Sequence, residues 1–235
     1  MSLKTLENTR SGVGGRPGRF RAAARKLGKA LAGSVLAAGL MLASPKPARA
    51  DSIELMAGNK NATLDLKASA DITNRLGVFI RARPSVDYAG NLSSFGLADL
   101  TINLSGGLDA IGEVQLFGGR AVPRAGMQYF TKTGDFSLYT LATIGLDSRP
   151  YLESLAVLRC APALYKTLRL LAQVENVTDV GASGHDFSTQ RIRLGVEWKG
   201  WGAGAAADLT ETGNSPKPRD GTFGWNAGGF VSKRF

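Results

Sequence analysis

The sequence predicts an all-β fold: an antiparallel transmembrane β-barrel of twelve strands, with ten as the alternative, preceded by a cleavable signal peptide. Three observations carry this. The first fifty residues have the three-part build of an export signal. The rest alternates apolar and polar residues with period two, in segments of about eight to twelve residues bounded by Gly, Asn, Asp, Ser or Pro. The polar face of those segments carries charges deep within them, while Gly and Ala dilute the apolar face.

The amino-terminal region explains the basic composition. Of the 29 Lys and Arg residues, ten precede position 51, where only Glu7 opposes them, so the remaining chain carries 19 basic and 18 acidic residues. The overall charge of +10 therefore belongs mainly to targeting, and no nucleic-acid partner is expected. An apolar run over residues 30 to 43 follows the basic stretch, and SPKPARA ends the region. Small residues at Ala48 and Ala50 set up cleavage between Ala50 and Asp51, making 1–50 the signal peptide and 51–235 one β-barrel domain. An uncleaved membrane anchor is the poorer reading, because the apolar run is short of the ~20 residues a spanning helix needs.

Twelve segments follow: 52 to 57, 62 to 70, 76 to 88, 97 to 104, 108 to 117, 122 to 131, 136 to 144, 151 to 160, 165 to 174, 187 to 198, 201 to 209 and 223 to 235. In the fifth, Leu108, Ala110, Gly112, Val114 and Leu116 share one face, and Asp109, Glu113 and Gln115 the other. In the tenth, Ile192, Leu194, Val196 and Trp198 oppose Arg191, Arg193 and Glu197. The ninth also permits an amphipathic helix, with Leu164, Leu168 and Leu171 at helical spacing, but its neighbours favour a strand. Gly-rich pairs such as Gly106-Gly107, Gly118-Gly119 and Lys199-Gly200 supply tight reversals. Longer loops are expected at 89 to 96, 177 to 186 and 211 to 221.

A soluble sandwich and a membrane barrel produce the same alternation, so its contents must decide. The charges at Arg81, Arg83, Glu113, Arg169, Glu175, Arg191, Arg193 and Glu197 suit a confined lumen in which opposite signs pair across strands. Tyr88, Tyr151, Trp198, Trp201 and Trp225 lie near segment ends, where aromatic residues form interfacial girdles. With the signal peptide and a terminal strand closing on Val231 and Phe235, the chain resembles small outer-membrane β-barrel proteins of Gram-negative bacteria. Lys233 stands where that pattern expects an apolar or aromatic residue. The resemblance implies residence in the outer membrane, with a soluble periplasmic protein as the alternative. It also implies contact with outer-membrane lipid and lipopolysaccharide, and recognition of Val231 and Phe235 by the barrel-assembly machinery. More faintly, the stretch from 169 to 198 is similar to the barrel part of phage-adsorption outer-membrane proteins.

Chemical motifs are sparse. Cys160 is the only cysteine and His185 the only histidine, and neither G-x-S-x-G nor H-E-x-x-H occurs, so no metal and no cofactor are expected. His185 with Asp186 and Ser188 invites a hydrolase reading. On an uninterrupted strand, however, residues three apart face oppositely, and no paired carboxylates on another strand can be identified. The sequence therefore reads as a non-enzymatic barrel, a structural or small-solute pore protein with a charged lumen. The alternatives are a surface receptor or binding scaffold for phage or ligand, then a lipid- or peptide-hydrolysing barrel.

Overall fold

The computed structural model describes residues 52–147, 150–182, 184–213 and 222–235; the predicted signal peptide, its expected cleavage site at Ala48 and Ala50, and most of the predicted 211 to 221 loop lie outside them. Among the described residues there is no helix. The strands, in order, are β1 (Ser52–Gly58), β2 (Asn61–Asp71), β3 (Leu76–Asp87), β4 (Leu92–Ser105), β5 (Leu108–Phe117), β6 (Arg120–Thr133), β7 (Phe136–Gly145), β8 (Leu152–Cys160), β9 (Ala163–Tyr165), β10 (Leu168–Gly181), β11 (Gly184–Trp198), β12 (Trp201–Thr212) and β13 (Thr222–Arg234). Each pairs antiparallel with its chain neighbour, except that β8 and β9 both pair with β10, and β1 closes on β13 from Ser52↔Arg234 to Gly58↔Gly228. β9 continues the course of β8 along the edge of β10 after the break at Ala161 and Pro162, so the closed barrel has twelve strands. Closure leaves no exposed edge, the condition for a sheet to span a bilayer.

Alternation sends one face to lipid and the other into the lumen. In β5, Val114 and Leu116 are exposed outside, while Ile111, Glu113 and Gln115 are buried inside. In β11, Leu194, Val196 and Trp198 face out, whereas Thr189 and Arg193 are buried. The protein is a transmembrane barrel of the outer membrane, bathed by its lipid.

Two expected long loops are much shorter. β4 begins at Leu92 because Leu92 to Phe95 pair with Val86 to Arg83, and ladder bonds override the local turn preference of Ser and Gly. The remaining turn is held by Asp87, whose carboxylate accepts from the backbone and side-chain nitrogens of Asn91 at 2.8 and 2.7 Å. Likewise β10 runs on to Gly181 and β11 starts at Gly184. Their register breaks between Asp179 and Val180, where Asp179 opposes Phe187 but Val180 opposes His185, leaving Asp186 as a bulge. The segment around residues 165 to 174 is a strand, paired on both sides by β11 and by β8 with β9. At the turn between β11 and β12, Lys199 and Gly200 take φ of 50° and 79°, the left-handed geometry of a two-residue hairpin.

The ends differ. Both described chain ends lie where the turns are short, as at Gly106-Gly107 and Lys199-Gly200, which marks the periplasmic side; the opposite end faces outward. Trp198 and Trp201 pair directly and are half exposed at the periplasmic rim, near Tyr165 and Phe235. Lys233, the departure from the expected terminal pattern, donates to the Lys199 carbonyl at 3.1 Å and lies 5.1 Å over the Trp201 ring. Its stem can cover apolar surface while the ammonium reaches the interface.

Candidate functional site

Above its midpoint the lumen opens into an outward-facing cup of about 800 Å3. Its walls differ in charge. Arg81 and Arg83 from β3 and Arg191 from β11 form a basic side, and Glu113 from β5, Glu153 from β8 and Asp179 from β10 an acidic one. Lys60, Arg120, Asp147 and Trp225 stand at the mouth.

The floor is made by bonds that cross the barrel. Arg81 donates to Asp65 at 2.8 and 2.5 Å, on the adjacent strand, and to Glu175 at 3.0 Å, from β3 across to β10. Arg191 also donates to Glu175. Arg83 reaches Asp208 of β12 at 2.5 Å, and Arg193 joins Asp208 and Glu54, both at 2.8 Å. Strands β3 and β10 are not neighbours in the sheet, so the Arg81–Glu175 pair is a strut through the lumen.

Beside this layer Met56, Leu171, Ala206 and Phe230 form a buried apolar cluster on the inner wall of β1, β10, β12 and β13. Small inward residues make room for it: a Cβ on Gly202 would lie 3.7 Å from both Leu171 and Phe230 and 2.5 Å from the Ser232 hydroxyl. At the periplasmic end Arg159 pairs with Glu197, and Arg169 donates to Asp135 at 2.5 Å and to the Ala161 carbonyl at 2.7 Å.

The predicted lumen charges thus occupy three levels. Arg81, Arg83, Glu113 and Arg191 border the cup, Glu175 and Arg193 lie in or just under its floor, and Arg169 and Glu197 are at the periplasmic end. Tyr151 lines the cup, with the Arg124 guanidinium 4.7 Å from its ring and Arg124 Nη1 donating to its hydroxyl at 3.3 Å. Tyr88 donates to the Gly58 carbonyl at the outer rim, and Trp225 lies 5.5 Å below the Lys60 ammonium. Val231 projects outward beside Leu55 and Ala203.

Of the acidic side, sequence reasoning named Glu113 and missed Glu153 and Asp179. Arg124 has no exposed side-chain surface; it donates to Thr143 at 2.9 Å and Glu153 at 3.2 Å, and lies 3.4 Å from Glu113. Gln115 donates to Glu153 at 3.1 Å. Neither oxygen of Glu113 has a hydrogen bond, nor do Asp99 Oδ1, Asp179 Oδ1 or Arg124 Nη2. The signal was present as parity: Asp99, Glu113 and Arg124 are cross-strand partners in turn, and so are Thr143, Glu153 and Asp179. The expectation that no paired carboxylates exist is corrected, since Glu153 is opposite Asp179 and Asp99 opposite Glu113.

A second constellation lies on the outer wall. The Asp186 bulge shifts strand parity, bringing His185 and Ser188 to one face with Nε2 and Oγ 2.6 Å apart. Ser188 Oγ is also 3.2 Å from Thr178 Oγ1, which accepts from Asn176 Nδ2 at 3.3 Å.

No protein-family model matches the chain, and no curated protein matches it. Solved structures do resemble it in overall course. LpxR from Salmonella typhimurium has a TM-score of 0.42 at 9% identity, over 79% of this chain and all of that one. Two forms of OmpT, an outer membrane protein of Vibrio cholerae, give 0.37 at 13% (a loop L8 deletion mutant) and 0.38 at 10% (folded in vitro, trimer form), each over 79% of this chain and 97% of theirs. These likenesses are to Gram-negative outer-membrane barrels in general and do not single out phage-adsorption proteins. The expectation that the chain is not an enzyme is overturned at its ground: the Asp186 bulge brings His185 and Ser188 to one face within 2.6 Å, so the opposed-face argument on which it stood is removed.

Proposed function

We propose that the barrel is a surface binding scaffold whose cup receives a small solute carrying separated positive and negative groups. The observation that carries this reading is the Arg81–Glu175 strut beneath the cavity. A pore needs a continuous aqueous path, whereas here ion pairs cross the lumen and buried apolar side chains pack on its wall beside them. A receptor needs a cavity with convergent polar groups still able to bond. Glu113, Glu153 and Asp179 on one wall, and Arg83 and Arg191 on the other, set groups of both signs around this one.

The remaining assignments complete the proposal. Residues 1–50 are removed on export, leaving one domain over 51–235; Val231 and Phe235 are read by the barrel-assembly machinery; and lipopolysaccharide packs around the outer rim. Planar-bilayer recording of the refolded protein tests the central point. The expected result is a membrane that stays closed to potassium chloride, and a steady ohmic conductance in every insertion would return the protein to the pore class.

A further inference from the structure

We infer that the outer wall carries an esterase site, in which Ser188 and His185 cleave an ester-linked acyl chain from a lipid of the outer leaflet. This goes beyond the cup, which lies on the other face of the sheet. Three features converge on it.

The first is proton direction. Asn176 Nδ2 donates to Thr178 Oγ1, leaving the threonine proton free for Ser188 Oγ, 3.2 Å away. Ser188 in turn is free to donate to His185 Nε2 at 2.6 Å. In the tautomer with the proton on Nδ1, this chain of contacts aims the serine proton at His185 Nε2, the arrangement an activated nucleophile requires.

The second is depth. Ten residues of β11 separate Ser188 from Trp198 at the periplasmic girdle. At about 3.4 Å per residue and an inclination of about 40°, that is a climb of about 26 Å, close to the ~25 Å height of an outer-membrane apolar band. Ser188 therefore stands at the outer boundary of the hydrocarbon, the level at which ester carbonyls join acyl chains to headgroups.

The third is the surrounding surface. The outward positions of β5, from Leu108 to Leu116, are Leu, Ala, Gly, Val and Leu, and those of β12 from Trp201 to Leu209 are Trp, Ala, Ala, Ala and Leu. Around the dyad the outward positions are instead Asn176, Thr178, Ser188, Gln190 and Glu211, the last directly opposite Ser188, with exposed Leu152 and Val180 beside them. Below lie Val174, Ile192 and Leu194, an apolar track along which an acyl chain can rest. Polar groups on a lipid-facing wall are costly unless they have a polar partner.

In the reaction, Ser188 Oγ attacks the ester carbonyl as its proton passes to His185 Nε2. Collapse of the tetrahedral intermediate breaks the bond to the alcohol oxygen, which takes that proton from His185 and leaves as the deacylated lipid. Water, losing a proton to His185, then attacks the acyl-serine; the fatty acid departs and Ser188 recovers its proton. Thr178 is a positioning residue.

The test uses the full mature barrel reconstituted in phosphatidylethanolamine vesicles, without or with lipopolysaccharide, and measures free fatty acid. Release is expected, falling at least about 100-fold in Ser188→Ala and in His185→Gln. Release from the plain vesicles assigns phospholipid; release only with lipopolysaccharide assigns its acyl esters. A fluorophosphonate, which Ser188 would phosphorylate with loss of fluoride, should label the native protein and not the His185 variant. Thr178→Val should slow labelling, and Thr178→Ser should restore it. Heat-modifiable gel mobility identifies barrels that have folded. No fatty-acid release in either vesicle by a folded native barrel overturns the assignment, as does equal release by folded Ser188→Ala.

Discussion

The two halves of the lumen are built from the same alternating strands and close the barrel in different ways. In the periplasmic half, side chains meet across the axis: Glu175 joins Arg81 and Arg191, and Met56, Leu171, Ala206 and Phe230 pack together. In the outward half Glu113, Glu153 and Asp179 stand along one wall of the cup, with Glu113 3.4 Å from Arg124. Confined charge is stabilising only when its partners are supplied. The inner half pairs its charges across the axis, and the outer half pairs Glu113 and Glu153 with Arg124 along one wall beside a cavity.

The strongest way to break this contrast is at the strut. Glu175 is 2% exposed and neutralises two arginines. Glu175→Ala leaves Arg81 and Arg191 without it, and the expected loss is about 4 kcal/mol, the scale of removing one partner from a buried pair. Urea unfolding from lipid vesicles measures it, and a loss below about 1 kcal/mol would show that the inner charges are solvated. The same variant should acquire a small bilayer conductance. Next comes the apolar cluster: Phe230 is 3% exposed, and Phe230→Ala should cost about 3 kcal/mol in the same assay.

Most of the fold was legible because a barrel writes itself in parity. The twelve segments, the strand at 165 to 174 and the outward run of β5 follow from period two alone. Boundaries were less legible, since Leu92 and Thr178 are strand residues only by virtue of partners on β3 and β11. The candidate sites were harder still. Parity places Glu113 and Arg191 on an inward face, but which residue meets which across the lumen depends on tilt and stagger. Arg81 finds Glu175 94 positions away, a pairing no local pattern encodes. At His185 parity itself misleads: one bulged residue, Asp186, reverses the face, and sequence marks that bulge by nothing stronger than the neighbouring Gly184.

The smallest expected effect is the one that most sharpens the contrast. Glu113 has no exposed side-chain surface and is ion-paired to Arg124 at 3.4 Å, yet neither of its oxygens accepts a hydrogen bond. Arg124 keeps Glu153 at 3.2 Å and Thr143 at 2.9 Å without it. If the outer half is organised for an incoming ligand, Glu113→Gln should change unfolding by no more than about 1 kcal/mol, far less than a buried glutamate normally costs when its arginine is left alone. The amide keeps the shape of the wall and removes one negative charge from the cup. A destabilisation equal to that of Glu175→Ala in the same urea titration would make the two halves alike, and the acidic wall would then be part of the scaffold and not a surface held open for a solute.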